Sequence, residues 1–191
     1  KKKLFTIFVF SVLMISNYLY GLSVMQKDLS IEQKNLNFLI KIISPKTEIK
    51  KFFQEFNTYE LIQELIYLSS PNKSEKTIFI FPEGTFPSVY LDDLSQYSNL
   101  FSKNYSDKHN IILGINRYEN GKTYNSMVII DKDTNIKDIY DKNILVPFGE
   151  FLPFENFLDN FGLKKITQGY GSFSRGYGRK IVEVNGIKIL P

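Results

Sequence analysis

The sequence predicts an α/β fold with a mixed sheet, preceded by a single apolar helix. Three observations carry that expectation. Leu4–Leu22 is an uncharged apolar run. Strand-like and helix-like segments alternate from Asn37 to Tyr118. Two Asn-Gly hairpin signals follow, at Asn120-Gly121 and Asn185-Gly186. The length of 191 residues suits one domain of ordinary size with a short appendage.

Taken in order, LFTIFVFSVLMISNYLYGL (Leu4–Leu22) spans about 28 Å as a helix, close to a hydrocarbon core of roughly 30 Å. Tyr18 and Tyr20 sit where an aromatic belt would lie, and Lys1–Lys3 precede the run. A membrane span fits best. A cleaved signal peptide and a buried core helix are the alternatives; the bulky Asn17-Tyr18-Leu19-Tyr20 offers no small-residue cleavage site. The positive-inside rule keeps the lysines in the cytoplasm and exports the rest. The expected division is residues 1–24 for lysines and transmembrane helix, 25–36 for a polar connector, and 37–191 for an exported domain.

Within that domain, Asn37–Ser44 reads as a strand ended by Pro45. Asn57–Leu68 reads as an amphipathic helix with Leu61, Ile62, Leu65 and Leu68 on one face, capped by Asn57 with Glu60 in capping-box position. Thr77–Phe81 is short and almost wholly apolar, so it should be covered on both faces. Leu91, Leu94, Tyr97, Phe101 and Tyr105 predict a second helix over Tyr90–Ser106. Ile111–Tyr118, Tyr124–Asp131 and Ile136–Tyr140 read as strands, and Lys180–Val184 with Ile187–Leu190 as a final hairpin. His109, in Asp107-Lys108-His109-Asn110, reads as a residue of an exposed polar turn.

Composition excludes several classes. Hydrophobic residues at 43% and aromatics at 15% exclude a disordered chain. Cysteine is absent and His109 is the single histidine, so a disulfide scaffold and the usual zinc clusters are excluded; no metal or cofactor is expected. The net charge of +4 owes most of its excess to Lys1–Lys3, and is weak support for a nucleic-acid partner.

Glu83 directly follows an apolar strand, inside Phe81-Pro82-Glu83-Gly84-Thr85-Phe86-Pro87. A carboxylate just past a buried strand is where α/β sites lie, and partial burial would raise its pKa toward that of a general base. Taken alone, a solvated loop glutamate is the simpler reading. Lys142 opens a run reaching Pro147-Phe148-Gly149-Glu150, charged at both ends and apolar between. That layout would bring Lys142 and Glu150 to one site, although a single lysine is by itself usually a surface charge.

The conjunction is more specific. FPEGTFP, then Tyr124-Asn125-Ser126, then YDKNILVPFGEFLP (Tyr140–Pro153), closely resembles the apolipoprotein N-acyltransferases of the nitrilase (carbon–nitrogen hydrolase) superfamily. The resemblance runs from about Phe38 to the end. It implies a nitrilase-like α-β-β-α sandwich, here incomplete, on the exported side of a bacterial inner membrane. It also implies a Glu-Lys-Cys triad. Glu83 matches the general base, Lys142 the oxyanion-stabilising lysine, and Glu150 a second glutamate that supports them. Gly171–Gly176 resembles the loop before the nucleophile strand.

The implied reaction takes an acyl chain from a membrane phospholipid as a Cys thioester. It then passes the chain to the α-amino group of a diacylglyceryl apolipoprotein at the lipid bilayer. Phe148, Phe151, Leu152, Phe154, Phe157, Leu158 and Phe161 form an apolar-rich stretch that could dip into lipid, with ordinary core and loop packing the simpler reading for about half of them. The departure from the family is the missing cysteine. Neither Ser172 nor Ser174 replaces a thiolate, and the expectation is a fragment cut before its nucleophile. The rival readings are a superfamily amidase acting on a small amide, and a non-catalytic membrane-anchored module of the same fold.

Overall fold

The computed structural model describes residues 2–26, 37–45, 57–86, 89–153 and 172–191. The chain divides into two units, Lys1–Leu36 and Asn37–Pro191. The first contains α1 (Lys2–Gln26), which is long and apolar enough to cross a membrane. Its apolar side chains are exposed from Leu4 to Met25.

The second unit is built on a five-stranded sheet. β1 (Leu39–Ile42), β2 (Thr77–Ile80) and β3 (His109–Glu119) run parallel; β4 (Lys122–Ile130) and β5 (Ile136–Asp141) continue antiparallel, in the order β1-β2-β3-β4-β5. The β3–β4 turn is Asn120-Gly121, both at positive φ, as a tight right-twisting hairpin demands. Asn185-Gly186 makes the same turn between β6 (Val182–Val184) and β7 (Ile187–Ile189).

Alternation along the strands sends side chains to two cores. On one face, Phe79, Ile111, Leu113, Val128 and Ile130 pack under α2 (Thr58–Ser69), a 3₁₀ helix (Leu91–Tyr97) and α3 (Ser98–Asn104). On the other, Ile78, Ile112 and Ile129 pack against Val182 and Val184 of the terminal hairpin. β2 is therefore covered on both sides, as its apolar run predicts.

Three expectations are corrected. The segment expected as one helix over Tyr90–Ser106 is a 3₁₀ helix followed by a short α-helix. Leu91, Leu94 and Tyr97 lie three apart, a spacing that three residues per turn aligns and 3.6 does not. In α2, Leu68 is exposed; the buried face is Leu61, Ile62, Leu65, Ile66 and Ser69. Asn57 does cap this helix, accepting from the Tyr59 amide at 3.1 Å, while its own amide donates to Glu60.

The third correction is His109, which is fully buried rather than at the surface. It opens β3 on the same face as Ile111 and Leu113, with its ring edge-on to Phe79 and Tyr105. Nδ1 accepts from the Ser106 amide at 3.1 Å, and Nε2 donates to the Asn72 carbonyl at 3.0 Å. Both ring nitrogens are satisfied, which lets a polar ring sit in the core. Burial pushes the neighbouring Tyr105 phenol up to about 12.

Candidate active site

The site lies at the ends of β2 and β5, on the sheet face that carries the terminal hairpin. β2 continues to Phe81, whose amide donates to the Ile112 carbonyl at 2.9 Å. The chain then turns through Pro82, Glu83 and Gly84, with Gly84 at φ 71°. Phe81, Thr85 and Phe86 are buried and anchor the turn, and the Thr85 hydroxyl donates to the Pro82 carbonyl.

The turn crosses directly over Gly114 of β3. A Cβ on Gly114 would lie 2.7 Å from the Glu83 Cα and 2.9 Å from the Pro82 carbonyl oxygen. Only glycine admits the Glu83 backbone here.

Register places the lysine. β4 and β5 pair Ser126 with Asp141 and Met127 with Tyr140. One step further, the Lys142 amide donates to the Asn125 carbonyl at 2.8 Å. Asn125 and Lys142 therefore share the face of Met127 and Tyr140, while Ser126 and Asp141 share the other. On that other face, Arg117 grips Asp141 bidentately at 3.1 and 2.6 Å, and the Ser126 hydroxyl donates to Asp141 at 2.7 Å. The Arg117 guanidinium also lies over the Tyr124 ring. Hydrogen bonding to Asp141, ahead of the opposing effect of burial, raises the Arg117 pKa.

The Lys142 ammonium sits 3.0 Å from one oxygen of Glu83 and 3.0 Å from one oxygen of Glu150. Asn125 Nδ2 donates to the same two oxygens, at 2.8 Å in the case of Glu150. The other Glu150 oxygen accepts from the Val146 amide at 2.8 Å. Residues 172–176 strap this end of the sheet. The Phe173 amide donates to the Glu150 carbonyl at 2.8 Å, and the Gly176 amide to the Lys142 carbonyl at 3.1 Å.

The two carboxylates differ. The Glu150 side chain is 13% exposed with both oxygens engaged, whereas that of Glu83 is 60% exposed. The partial burial expected of Glu83 is therefore not observed, because its turn rides on top of the sheet. Burial would raise the Glu150 pKa, but hydrogen bonds from Val146, Lys142 and Asn125 hold it below the ordinary carboxylate value. Burial likewise works against the Lys142 charge, and the bonds to Glu150 and Glu83 outweigh it, so its pKa is raised.

Glu83, Asn125 and Lys142 line a cavity of about 610 Å³ between the sheet and the terminal hairpin. Ile80, Ile112, Met127 and Tyr140 form an apolar floor, and Leu190 and Pro191, at the end of β7, close one side. Among the described residues no group of His, Cys, Asp or Glu side chains could hold a metal ion. Of the apolar stretch that begins at Phe148, Phe148 is exposed and Leu152 is buried. Phe154, Phe157, Leu158 and Phe161 lie outside the described residues.

No protein-family model matches the chain. In an alignment of 173 positions that covers 81% of its length, it is 29% identical to an apolipoprotein N-acyltransferase of Rhodopseudomonas palustris, covering 32% of that protein. One from Rhizobium rhizogenes is 31% identical over 60% of this chain and 22% of its own length. One from Brucella suis is 26% identical over 90% of this chain and 34% of its own. The chain is homologous to the apolipoprotein N-acyltransferases.

It spans about a third or less of the length of these curated relatives. The structure superposes on a CN-hydrolase superfamily protein from Xanthomonas campestris with a TM-score of 0.50 at 14% identity. That match covers 80% of this chain and 51% of the other. The fold that carries the likeness to the apolipoprotein N-acyltransferases is thus the CN-hydrolase fold.

Asn125 was quoted from the sequence only as part of Tyr124-Asn125-Ser126, with no role assigned, and Gly114 and the Arg117–Asp141 pair were not singled out. The signal for Asn125 was present: it is the polar member of an alternating face completed by Met127 and Ile129. Gly114 leaves no local trace, because what it makes room for lies in another strand's loop.

Proposed function

We propose that this chain is part of a membrane-anchored acyltransferase that N-acylates the lipidated N-terminal cysteine of apolipoproteins, with a phospholipid as acyl donor. The observation that carries the reading is the Lys142 ammonium held between Glu83 and Glu150 at the cavity wall. The similarity to apolipoprotein N-acyltransferases supports this chemistry. In this reading α1 spans the bacterial inner membrane with Lys1–Lys3 in the cytoplasm, residues 25–36 connect, and residues 37–191 lie on the exported side.

Geometry divides the roles. Glu83 Oε2 has no partner among the described residues, so Glu83 is the proton acceptor. Glu150, with both oxygens occupied, orients Lys142. An ammonium has three N–H bonds; two are committed, and the third is available to an oxyanion in the cavity. The thiol would be carried just beyond β7, whose end lines the same cavity.

Glu83 takes the thiol proton, sulfur attacks the phospholipid ester carbonyl, and the C–O bond breaks. The proton passes to the departing lysophospholipid oxygen. The acceptor's α-amine then attacks the thioester, giving its proton to Glu83, and the C–S bond breaks to regenerate the thiol.

The test is acyl-enzyme trapping with labelled phospholipid on the full-length protein. Lys142→Met should slow acylation by about 10²–10³-fold and Glu83→Gln by about 10²–10⁴-fold. Wild-type rates in either variant, or a wild-type protein that hydrolyses small amides and forms no acyl-enzyme from phospholipid, would refute the reading.

A further inference from the structure

Glu83 Oε1 and Glu150 Oε1 each accept from the same two donors, Lys142 Nζ and Asn125 Nδ2. Donors and acceptors alternate around a closed ring of four groups. Two carboxylates brought this close repel one another, and a single ammonium offsets only one of the two charges. The Asn125 amide supplies a hydrogen for each carboxylate and adds no charge of its own. Its place is set by the backbone, through the Lys142 amide bonded to the Asn125 carbonyl, so the strand pairing survives a change of side chain at 125.

We propose that Asn125 is a positioning residue that holds the Glu83 and Glu150 carboxylates together around Lys142 and so fixes where the base stands in the cavity. This rests on the acyl-transfer reading for the meaning of "base", though not for the geometry. An aspartate at 125 has nearly the same shape, yet it would aim acceptors at acceptors and add a third negative charge.

The test uses the full-length protein with Asn125→Ala, Asn125→Asp and Asn125→Gln, assayed for acyl transfer across pH. For Asn125→Ala, kcat should fall by about 10²-fold, as misplacement of a reacting group by about 1 Å does, with KM nearly unchanged. The acid limb of the profile should move to higher pH, because Glu150 loses one of the bonds that keep its carboxylate ionised. Asn125→Asp should move it further, and Asn125→Gln, which retains a donor, should recover part of the rate. An acid limb that stays at its wild-type position overturns the proposal, even if the rate falls.

A second measurement needs no turnover. Carboxyl ¹³C NMR, with Glu150→Gln for assignment, should find Glu150 titrating at higher pH in Asn125→Ala than in wild type. An unmoved titration overturns the proposal. A moved titration in a protein that forms no acyl-enzyme leaves the positioning intact and removes the acyl-transfer reading.

Discussion

Lys142 uses two of its three N–H bonds on carboxylates, and those bonds set how the cluster answers to pH. Glu150 has a lowered folded-state pKa, so its contribution to stability is present above the unfolded value and disappears as pH falls through the folded one. Lys142 has a raised one, so its contribution is present below the unfolded value and disappears as pH rises through the folded one. The cluster should therefore be most stabilising between the two. Thermal melts of Glu150→Gln across pH should lose the acid-side slope that wild type shows. Gly114→Ala is the second test at this scale. The added methyl meets backbone rather than a flexible side chain, so the Glu83 turn must lift. We expect a cost of about 1–3 kcal/mol and a fall in acylation of about 10²-fold. Glu83, Lys142 and Glu150 were singled out from the sequence through the conjunction of motifs that resembles the acyltransferases, since the local runs taken alone left Glu83 and Lys142 as surface charges. Asn125 entered only within the motif Tyr124-Asn125-Ser126, with no role of its own, and Gly114 did not enter at all, since their importance comes from partners on other strands.

Among the elements, β3 and β4 align the site and are themselves aligned by groups remote from it. The Arg117–Asp141–Ser126 network lies on the face opposite Lys142 and fixes the residue that precedes it. Arg117→Met leaves Asp141 without its cation and should cost on the order of 2 kcal/mol in a denaturant titration. His109 ties the start of β3 to the loop at Asn72 and to α3 through Tyr105. His109→Ala should cost about 3 kcal/mol, combining lost packing with two unpaired backbone groups. Five strands, the hairpins and α2 were legible from periodicity and the Asn-Gly pairs. His109 was misread because its polar neighbours outweighed the odd-numbered alternation His109, Ile111, Leu113 that places it inside. The 3₁₀ segment was misread because three- and four-residue spacings occur together in one apolar run.

For the molecule as a whole, the two units make separate claims. If α1 spans a membrane, Leu13→Arg places a charge near its midpoint at a cost of about 3 kcal/mol, and alkaline extraction should release more of the protein. The helix itself was legible from the length of its apolar run and its lack of charge, features that need no tertiary context. The second sheet face was less so, because its cover is a short hairpin far along the chain. That arrangement has a consequence for the order of assembly. Glu83, Asn125, Lys142 and Glu150 all lie within the stretch from β2 to the loop after β5, while the wall formed by Leu190 and Pro191 is made later. At about 5–20 residues per second, synthesis from Glu150 to Leu190 takes seconds, and hairpins form in about 1–10 μs. Every charged group of the site is thus synthesised before the strand whose end borders the cavity.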